Sequence, residues 1–261
     1  MTRFPLPERV SGGVAVFADS HLGQVEGDGE DFLSALSEVA SRGLTTVVLL
    51  GDIFHYFIGD AKFETPLVRR VVAGWGELAA RGISFRYVEG NRDFYLAGTR
   101  WAAPFCRYGI VDGVEAGGRR FAFVHGDRVN TEDLPYRFWR VLSKNPVSRG
   151  VMKVLPGAVA RWIVSRTEAR LYRTNFRHKK KLPTASLLAE ADRARAAGYD
   201  ELLVGHFHRE WRSPGEGTVL ILPAWLEERR HVEIAPDGTL AVVEEPTASR
   251  ARRRAAPTGS A

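Results

Sequence analysis

The sequence has a single cysteine, Cys106, so no internal disulfide can form and a reducing compartment is expected. No apolar run approaches the roughly 18 residues that a membrane-spanning helix requires. The segment from Met1 to Gly13 carries prolines and charges without an apolar stretch of the signal-peptide kind, which predicts a cytosolic chain. The 26 glycines and 13 prolines follow no collagen-like period, and no internal repeat is visible. What is present is enough apolar material for a core. With 261 residues, 44% hydrophobic and 26% charged, the chain suits one large domain or one domain carrying an insert, and disorder throughout is excluded.

Acidic residues are scarce in one stretch only. Arg128 to Lys181 holds 14 basic and 3 acidic side chains, and Pro246 to Ala261 adds four arginines and no acid. The remainder carries 19 basic against 28 acidic residues, so the net charge of +6 hides an acidic body with a basic segment set into it. Such a segment points to an anionic partner, or else to a solvated helix face. Aromatics are interleaved with its cations: Tyr136, Phe138, Trp139, Trp162, Tyr172 and Phe176. That mixture suits an anionic membrane surface, suits single-stranded nucleic acid as well, and also suits plain packing of the segment on a sheet.

Apolar patterning predicts strands over 14–18, 45–50, 83–88, 119–124, 201–204 and 218–222, with further strands near His231 and Leu240. Helical spacing predicts helices over 28–42 and 63–81 and another from Pro183-Thr184 to Gly198. The alternation implies a layered α/β sheet. Between Asn130 and Lys181 the apolar residues recur at helical intervals, and Pro146 and Pro156 divide them into about three short helices. This is read as a basic helical insert, 130–181, within a domain of 13–245, followed by a disordered basic tail, 246–261.

The chemistry is concentrated just after the strands. Asp19-Ser20-His21, Gly51-Asp52, Gly90-Asn91-Arg92-Asp93, His125-Gly126-Asp127 and Gly205-His206-Phe207-His208 each follow one directly. Ligands gather at the carboxyl ends of strands in an α/β sheet, so Asp19, His21, Asp52, Asn91, His125, His206 and His208 are expected to converge. Carboxylate, amide and imidazole together suit Mn²⁺, Fe²⁺, Zn²⁺ or Co²⁺ better than Ca²⁺. A carboxylate bridging two such ions about 4 Å apart would generate a hydroxide nucleophile and clamp a phosphoryl group. Each motif alone is also an ordinary turn or cap. Five in this order leave that reading little room. His55 and His231 are read as structural.

The ordered set of Asp-x-His, Gly-Asp, Gly-Asn-x-Asp, His-Gly-Asp and Gly-His-x-His resembles the calcineurin-like metallophosphoesterase superfamily. Gly51-Asp52-Ile53-Phe54 with Phe57-Ile58-Gly59-Asp60, then Gly90-Asn91-Arg92-Asp93-Phe94, then His125-Gly126-Asp127 with Thr131-Glu132-Asp133, narrow it. They resemble the UDP-2,3-diacylglucosamine pyrophosphohydrolases of lipid A biosynthesis, over roughly 13–245. The resemblance implies a four-layer α/β sandwich, two mixed sheets flanked by helices, with the insert as its lid. It implies one metal on Asp19, His21, Asp52 and His208, and a second on Asp52, Asn91, His125 and His206, both Mn²⁺. Substrate contacts would fall on Asn91, Arg92, Asp133, Asn175 and His206, with Asp52, Asn91, Arg92 and His206 as the catalytic set. The chain departs from that family's pattern where His55 replaces a glutamate, where Phe207 replaces a threonine, and where His178, followed by Lys179 to Lys181, replaces a lid lysine.

Arg92 carries a physical argument of its own. Most of the superfamily resembles Gly-Asn-His here, and a histidine can protonate a departing alkoxide. Arginine cannot release a proton at working pH, although its fork binds phosphate oxygens well. A phosphate leaving from a pyrophosphate needs no proton; the alternative reading of Arg92 is an ion pair with Asp93. The function that the resemblance implies, and that Arg92 suits, is dinuclear-metal hydrolysis of the pyrophosphate bond of UDP-2,3-diacylglucosamine to UMP and 2,3-diacylglucosamine 1-phosphate at an anionic membrane surface, by a cytoplasmic protein peripheral to the inner membrane. Nucleic acid is not the expected partner. The alternatives are a metallophosphoesterase of another diphosphate or phosphodiester, and a basic nucleic-acid-binding protein with a degenerate metal centre.

Overall fold

The computed structural model describes residues 3–178, 182–214 and 218–245, and of residues 168–178 the backbone only. Among the described residues, twelve strands form two six-stranded mixed sheets. The first sheet has the order β14 (Leu240–Glu244), β13 (Arg230–Ile234), β2 (Gly13–Phe17), β3 (Leu44–Leu49), β5 (Ser84–Val88) and β7 (Phe105–Gly109). The second has the order β1 (Glu8–Arg9), β8 (Val111–Ala116), β9 (Arg119–Val124), β10 (Glu201–Val204), β12 (Val219–Ile221) and β11 (Trp211–Arg212). A short parallel pair, β4 (Phe57–Ile58) and β6 (Asp93–Phe94), stands apart from both.

The central strands read as unbroken apolar runs because both faces of each sheet are covered. Successive residues of a strand face opposite ways, so each strand supplies two cores. Val14 and Val16 of β2, Val48 of β3 with Leu50 just beyond it, Phe121 and Phe123 of β9 and Leu203 of β10 meet in the core between the sheets. Ala15, Phe17, Val47 and Leu49 point the other way, onto α1 (Asp28–Ser41) and α2 (Pro66–Ala80), where Phe32, Leu36, Val71 and Trp75 are buried. On the far side Ala122, Leu202 and Val204 pack against Leu187, Ala191 and Ala194 of a later helix, α6 (Thr184–Ala196). Helix, sheet, sheet, helix is the four-layer arrangement expected.

Between β9 and α6 run α3 (Leu134–Ser143), α4 (Pro146–Val154) and α5 (Gly157–His178); a short α7 (Trp225–Glu228) lies between β12 and β13. Asp133 and Asn145 cap the starts of α3 and α4 by accepting from Tyr136 N and Ser148 N at 2.9 Å each. Pro146 and Pro156 divide the insert where expected, but α5, at 22 residues, is not short. No helix of the described residues is long and apolar enough to cross a membrane.

The strands not expected are mostly those with little apolar signal. β7 lies at a sheet edge, and Cys106 and Arg107 are exposed. β8 is interrupted by Asp112 and Gly113; the carboxylate of Asp112 holds buried Arg86 through bonds of 2.6 and 2.8 Å, so a charged residue fits an interior strand by pairing. The helix expected from Phe63 starts at Pro66 instead, because Thr65 Oγ1 accepts from Val68 N and proline occupies the first turn.

Candidate metal centre

The loops that follow β2, β3, β5, β9 and β10 bring Asp19, His21, Asp52, Asn91, His125, His206 and His208 to one edge of the two sheets. The first two loops are zipped together by backbone bonds: Asp19 N to Gly51 O, His21 N to Asp52 O and Leu22 N to Ile53 O, at 3.3, 3.0 and 2.8 Å. Asp19, His21, Asp52, His206 and His208 all have φ between 43° and 71°. Such left-handed backbone is costly outside glycine and tends to collect at functional sites. Five of the seven converging residues carry it.

Of three groups of donors among the described residues whose atoms lie within 4.8 Å of one another, two fall here, Asp19, His21 and His208, and Asp19, Asp52 and His125; the third, His231, Glu233 and Glu245, lies elsewhere. In the first, Asp19 Oδ1 stands 3.4 Å from His208 Nε2 and 3.8 Å from His21 Nε2, while the two imidazole nitrogens approach to 3.1 Å. In the second, His125 Nε2 is 3.6 Å from Asp52 Oδ2 and 3.2 Å from Asn91 Oδ1. The ring of His206 lies 5.2 Å from that of His125, edge to face. Outer partners orient the rings: His125 Nδ1 faces Leu50 O at 2.8 Å, and His208 Nδ1 faces Glu227 Oε1 at 3.2 Å. Glu227 was not singled out from sequence, and a lone acid in a short helix offers no signal there.

The donor set fits cations. Asp19 is fully buried, and among the described residues its Oδ1 is met only at long range, by His208 Nε2 at 3.4 Å and His21 Nε2 at 3.8 Å. A buried carboxylate oxygen left in that state is costly unless a cation or a proton meets it. Burial acts against its charged form, yet the imidazoles of His208, His125 and His21 hold Asp19 well below the usual carboxylate range. Burial likewise acts against a charged His125, and Asp52, Asp19 and Asp127 outweigh it and raise its pKa. These buried Asp and His groups are compatible with a dinuclear metal site. Glycines make room for it: a Cβ on Gly90 would meet Asp52 Oδ1 at 2.4 Å, and one on Gly51 would meet His125 Nδ1 at 2.6 Å.

Arg92 is placed against Asp52 rather than Asp93. Its backbone N donates to Asp52 Oδ1 at 2.8 Å, its Nε lies 3.7 Å from Asp52 Oδ2, and its Nη1 donates to His55 O at 3.2 Å. Asp93 is turned inward, accepting from Gly90 N, Asp52 N and Tyr87 Oη at 2.7, 3.2 and 2.9 Å; burial first and then Asp52 push its pKa up to about 7. His55 sits at the site's rim through that contact. His231 is distant in role, stacked on Phe17 and held at 3.0 Å by Glu233.

Beside the centre, a cavity of about 460 Å³ runs beneath the helical insert. Asn91, Arg92 and Asp133 share its lining with Trp139, Val151 and Ile163. Asn175 lies in α5, and Lys179 to Lys181 and the basic tail lie outside the described residues.

No family model matches the chain. Among curated proteins, a UDP-2,3-diacylglucosamine hydrolase from Ralstonia nicotianae is 36% identical over 146 residues, 55% of this chain and 54% of that protein, so the match spans about half its length. Proteins of the same name from Photorhabdus laumondii and Pseudomonas putida are each 29% identical over 198 residues, covering 74% and 75% of this chain and 80% and 82% of theirs. A solved dimetal phosphatase from Danio rerio is 16% identical, with 91% of this chain and 98% of that one covered and a TM-score of 0.49. Over these matched lengths the chain is similar to proteins named UDP-2,3-diacylglucosamine hydrolase, and its five motifs meet in buried Asp and His groups compatible with a dinuclear metal site.

Proposed function

We propose that the protein hydrolyses the pyrophosphate bond of UDP-2,3-diacylglucosamine, giving UMP and 2,3-diacylglucosamine 1-phosphate (lipid X), a step of lipid A biosynthesis. In this reading Asp19, His21, Asp52 and His208 hold one divalent ion, and Asp52, Asn91, His125 and His206 hold the other, with Asp52 shared and Mn²⁺ as the metal. When bound, the ions supply a water nucleophile at neutral pH and neutralise phosphoryl charge. Arg92 and His206 face the reacting phosphates and stabilise the charge that develops, while Asn91 and Asp133 orient the substrate. The guanidinium of Arg92 offers no proton, which suits departure of a phosphate. Convergence of all seven side chains supports an intact centre over a degenerate one.

One observation carries the choice of a lipid substrate: the cavity that shares Asn91 and Arg92 with the metal centre is lined mainly by apolar and aromatic side chains. Acyl chains bound there gain roughly 0.8 kcal/mol for each methylene removed from water. The insert then acts as the lid over the acyl chains. Its outer surface supports a second part of the reading, attachment to the cytoplasmic face of the inner membrane. Nine of the twelve large apolar side chains exposed among the described residues fall within 134–162; Leu142, Val147 and Val151 line the cavity, and the other six, including Phe138 and Val154 at 71% and 82% exposure, lie outside its lining. Exposed Arg137, Lys153, Arg161 and Arg166 stand among them, a pairing suited to anionic lipid. Comparing UDP-2,3-diacylglucosamine with UDP-glucosamine lacking both acyl chains tests the lipid assignment. The acylated substrate should show the higher kcat/KM by at least about 100-fold, because only a few buried methylenes are needed for that factor. Equal values would remove the cavity from the function.

A further inference from the structure

Tyr136, Arg140 and Lys144 recur at four-residue intervals along α3 and its C-cap, so they stand on one face. All three reach into the loops that carry two of the proposed ligands. Tyr136 Oη and Arg140 Nε donate to Asp127 Oδ2 at 2.5 and 3.1 Å, and Asp127 lies two residues after His125. Lys144 Nζ donates to Glu89 Oε1 and to the Gly90 carbonyl, both at 2.6 Å, and Gly90 immediately precedes Asn91. Arg140 Nη2 lies 4.0 Å from the same Glu89 oxygen, which joins the two sets. These are shielded contacts. The side chains of Arg140, Lys144, Glu89 and Asp127 are 18%, 11%, 17% and 2% exposed, so solvent screens them little.

The Gly90–Asn91 peptide is confined from two sides. Gly90 packs so closely on Asp52 that a Cβ would overlap its Oδ1, and the Gly90 carbonyl is held by the Lys144 ammonium. A peptide plane fixed at its carbonyl fixes where the next side chain starts, and that side chain is Asn91. On the other loop, Asp127 is tied to α3 and Val129 N bonds back to Gly126 O at 3.1 Å, which closes a turn directly behind His125. The middle of the insert, at the end of α4, is tied differently. Lys62 Nζ donates to the carbonyls of Met152, Lys153 and Leu155 at 2.6, 2.8 and 3.0 Å, and none of these belongs to a ligand-bearing loop.

We propose that α3 is a positioning element for the second metal subsite: Lys144 and Arg140 set Asn91 and His125 in place, so the lid and the metal pair form one mechanical unit. This rests on the assignment of Asn91 and His125 to the second ion. Outer contacts of this kind change metal affinity by about 10–100-fold when removed.

The test is the Mn²⁺ binding isotherm of the metal-free full chain, read from the electron paramagnetic resonance signal of free Mn²⁺, for wild type, Lys144→Met, Arg140→Met and Lys62→Met. Wild type should bind two ions. Lys144→Met and Arg140→Met should each weaken the second ion by at least about tenfold while leaving the first nearly unchanged. Lys62→Met loosens the insert without touching a ligand loop and should bind both ions as wild type does. Circular dichroism checks that each variant is folded, and Glu89→Gln, which keeps the ammonium but removes its anionic partner, serves as a milder second variant with the same expected direction. Unchanged binding of both ions in folded Lys144→Met or in Glu89→Gln overturns the proposal. Equal weakening in Lys62→Met also overturns it, since general loosening would then suffice. A wild-type stoichiometry below two would instead remove the dinuclear reading on which it rests.

Discussion

Arg92 and Asp52 are joined twice: the Arg92 backbone N donates to Asp52 Oδ1 at 2.8 Å, and the Arg92 Nε stands 3.7 Å from Asp52 Oδ2. A fixed cation beside the carboxylate proposed to bridge the metals is positioned for anionic phosphate oxygens. We expect Arg92→Ala to lower kcat by about 10²–10³-fold, the usual cost of removing one such donor. Since no side chain at this position can donate a proton, wild type should cleave nucleotide-sugar diphosphates well and dialkyl phosphodiesters poorly. Comparable rates on the two classes would remove the leaving-group argument.

Asp52 is 2% exposed and belongs to the donor group of Asp19 and His125. Asp52→Asn replaces a shared charge with a neutral amide, so turnover should nearly vanish while the fold survives. Chelation of wild type should have the same effect, with Mn²⁺ restoring the rate. Full activity after exhaustive dialysis against chelator would end the two-metal reading.

Gly90→Ala places a methyl group where Asp52 Oδ1 now lies, at 2.4 Å. The methyl group would also stand 2.7 Å from the Asp52 backbone N, so the carboxylate and the backbone of Asp52 must both give way. Displacements of about 1 Å cost on the order of 100-fold in rate, so a loss of at least that size is expected, together with a lower unfolding midpoint. A wild-type rate in this variant would show that the bridging geometry tolerates displacement.

The arrangement of layers was legible because the core strands are apolar on both faces, and the convergence of the seven proposed ligands was legible because each follows such a strand directly. Asp19-Ser20-His21 after Val14–Phe17 is typical: a short buried run followed by polar residues has few other uses. The misses share one cause, which is that pairing across space leaves no local trace. β8 hides Asp112 by partnering Arg86, 26 residues away in sequence. Glu227 reaches His208 across 19 residues, and the contacts of Lys144 with Glu89 and Gly90 span 55 and 54. The four-residue spacing of Tyr136, Arg140 and Lys144 was present in the sequence, but nothing there distinguishes it from a solvated helix face. Asp133 was expected as a substrate contact from resemblance, and its Oδ1 also caps α3.

The membrane reading separates into charge and apolar contact. Reversing Lys179, Lys180 and Lys181 to Glu should lower affinity for anionic vesicles well over tenfold, since each cation near such a surface contributes about 1 kcal/mol. That difference should shrink as salt rises. Phe138→Ser with Trp162→Ser removes two exposed aromatic side chains, and its loss should persist at high salt. Vesicle sedimentation at two salt concentrations distinguishes them, and unchanged binding in both variants would place the membrane contact elsewhere.

The most direct measurement is the mass of the products formed when the Mn²⁺-loaded protein is incubated with UDP-2,3-diacylglucosamine. Cleavage between the two phosphorus atoms gives UMP and 2,3-diacylglucosamine 1-phosphate in equal amounts, and that is the result expected. UDP with the free diacylated sugar would mean that the linkage between the β-phosphorus and the sugar is broken instead. Intact substrate alongside rapid cleavage of another diphosphate would contradict the assignment of the lipid while leaving the metal centre in place.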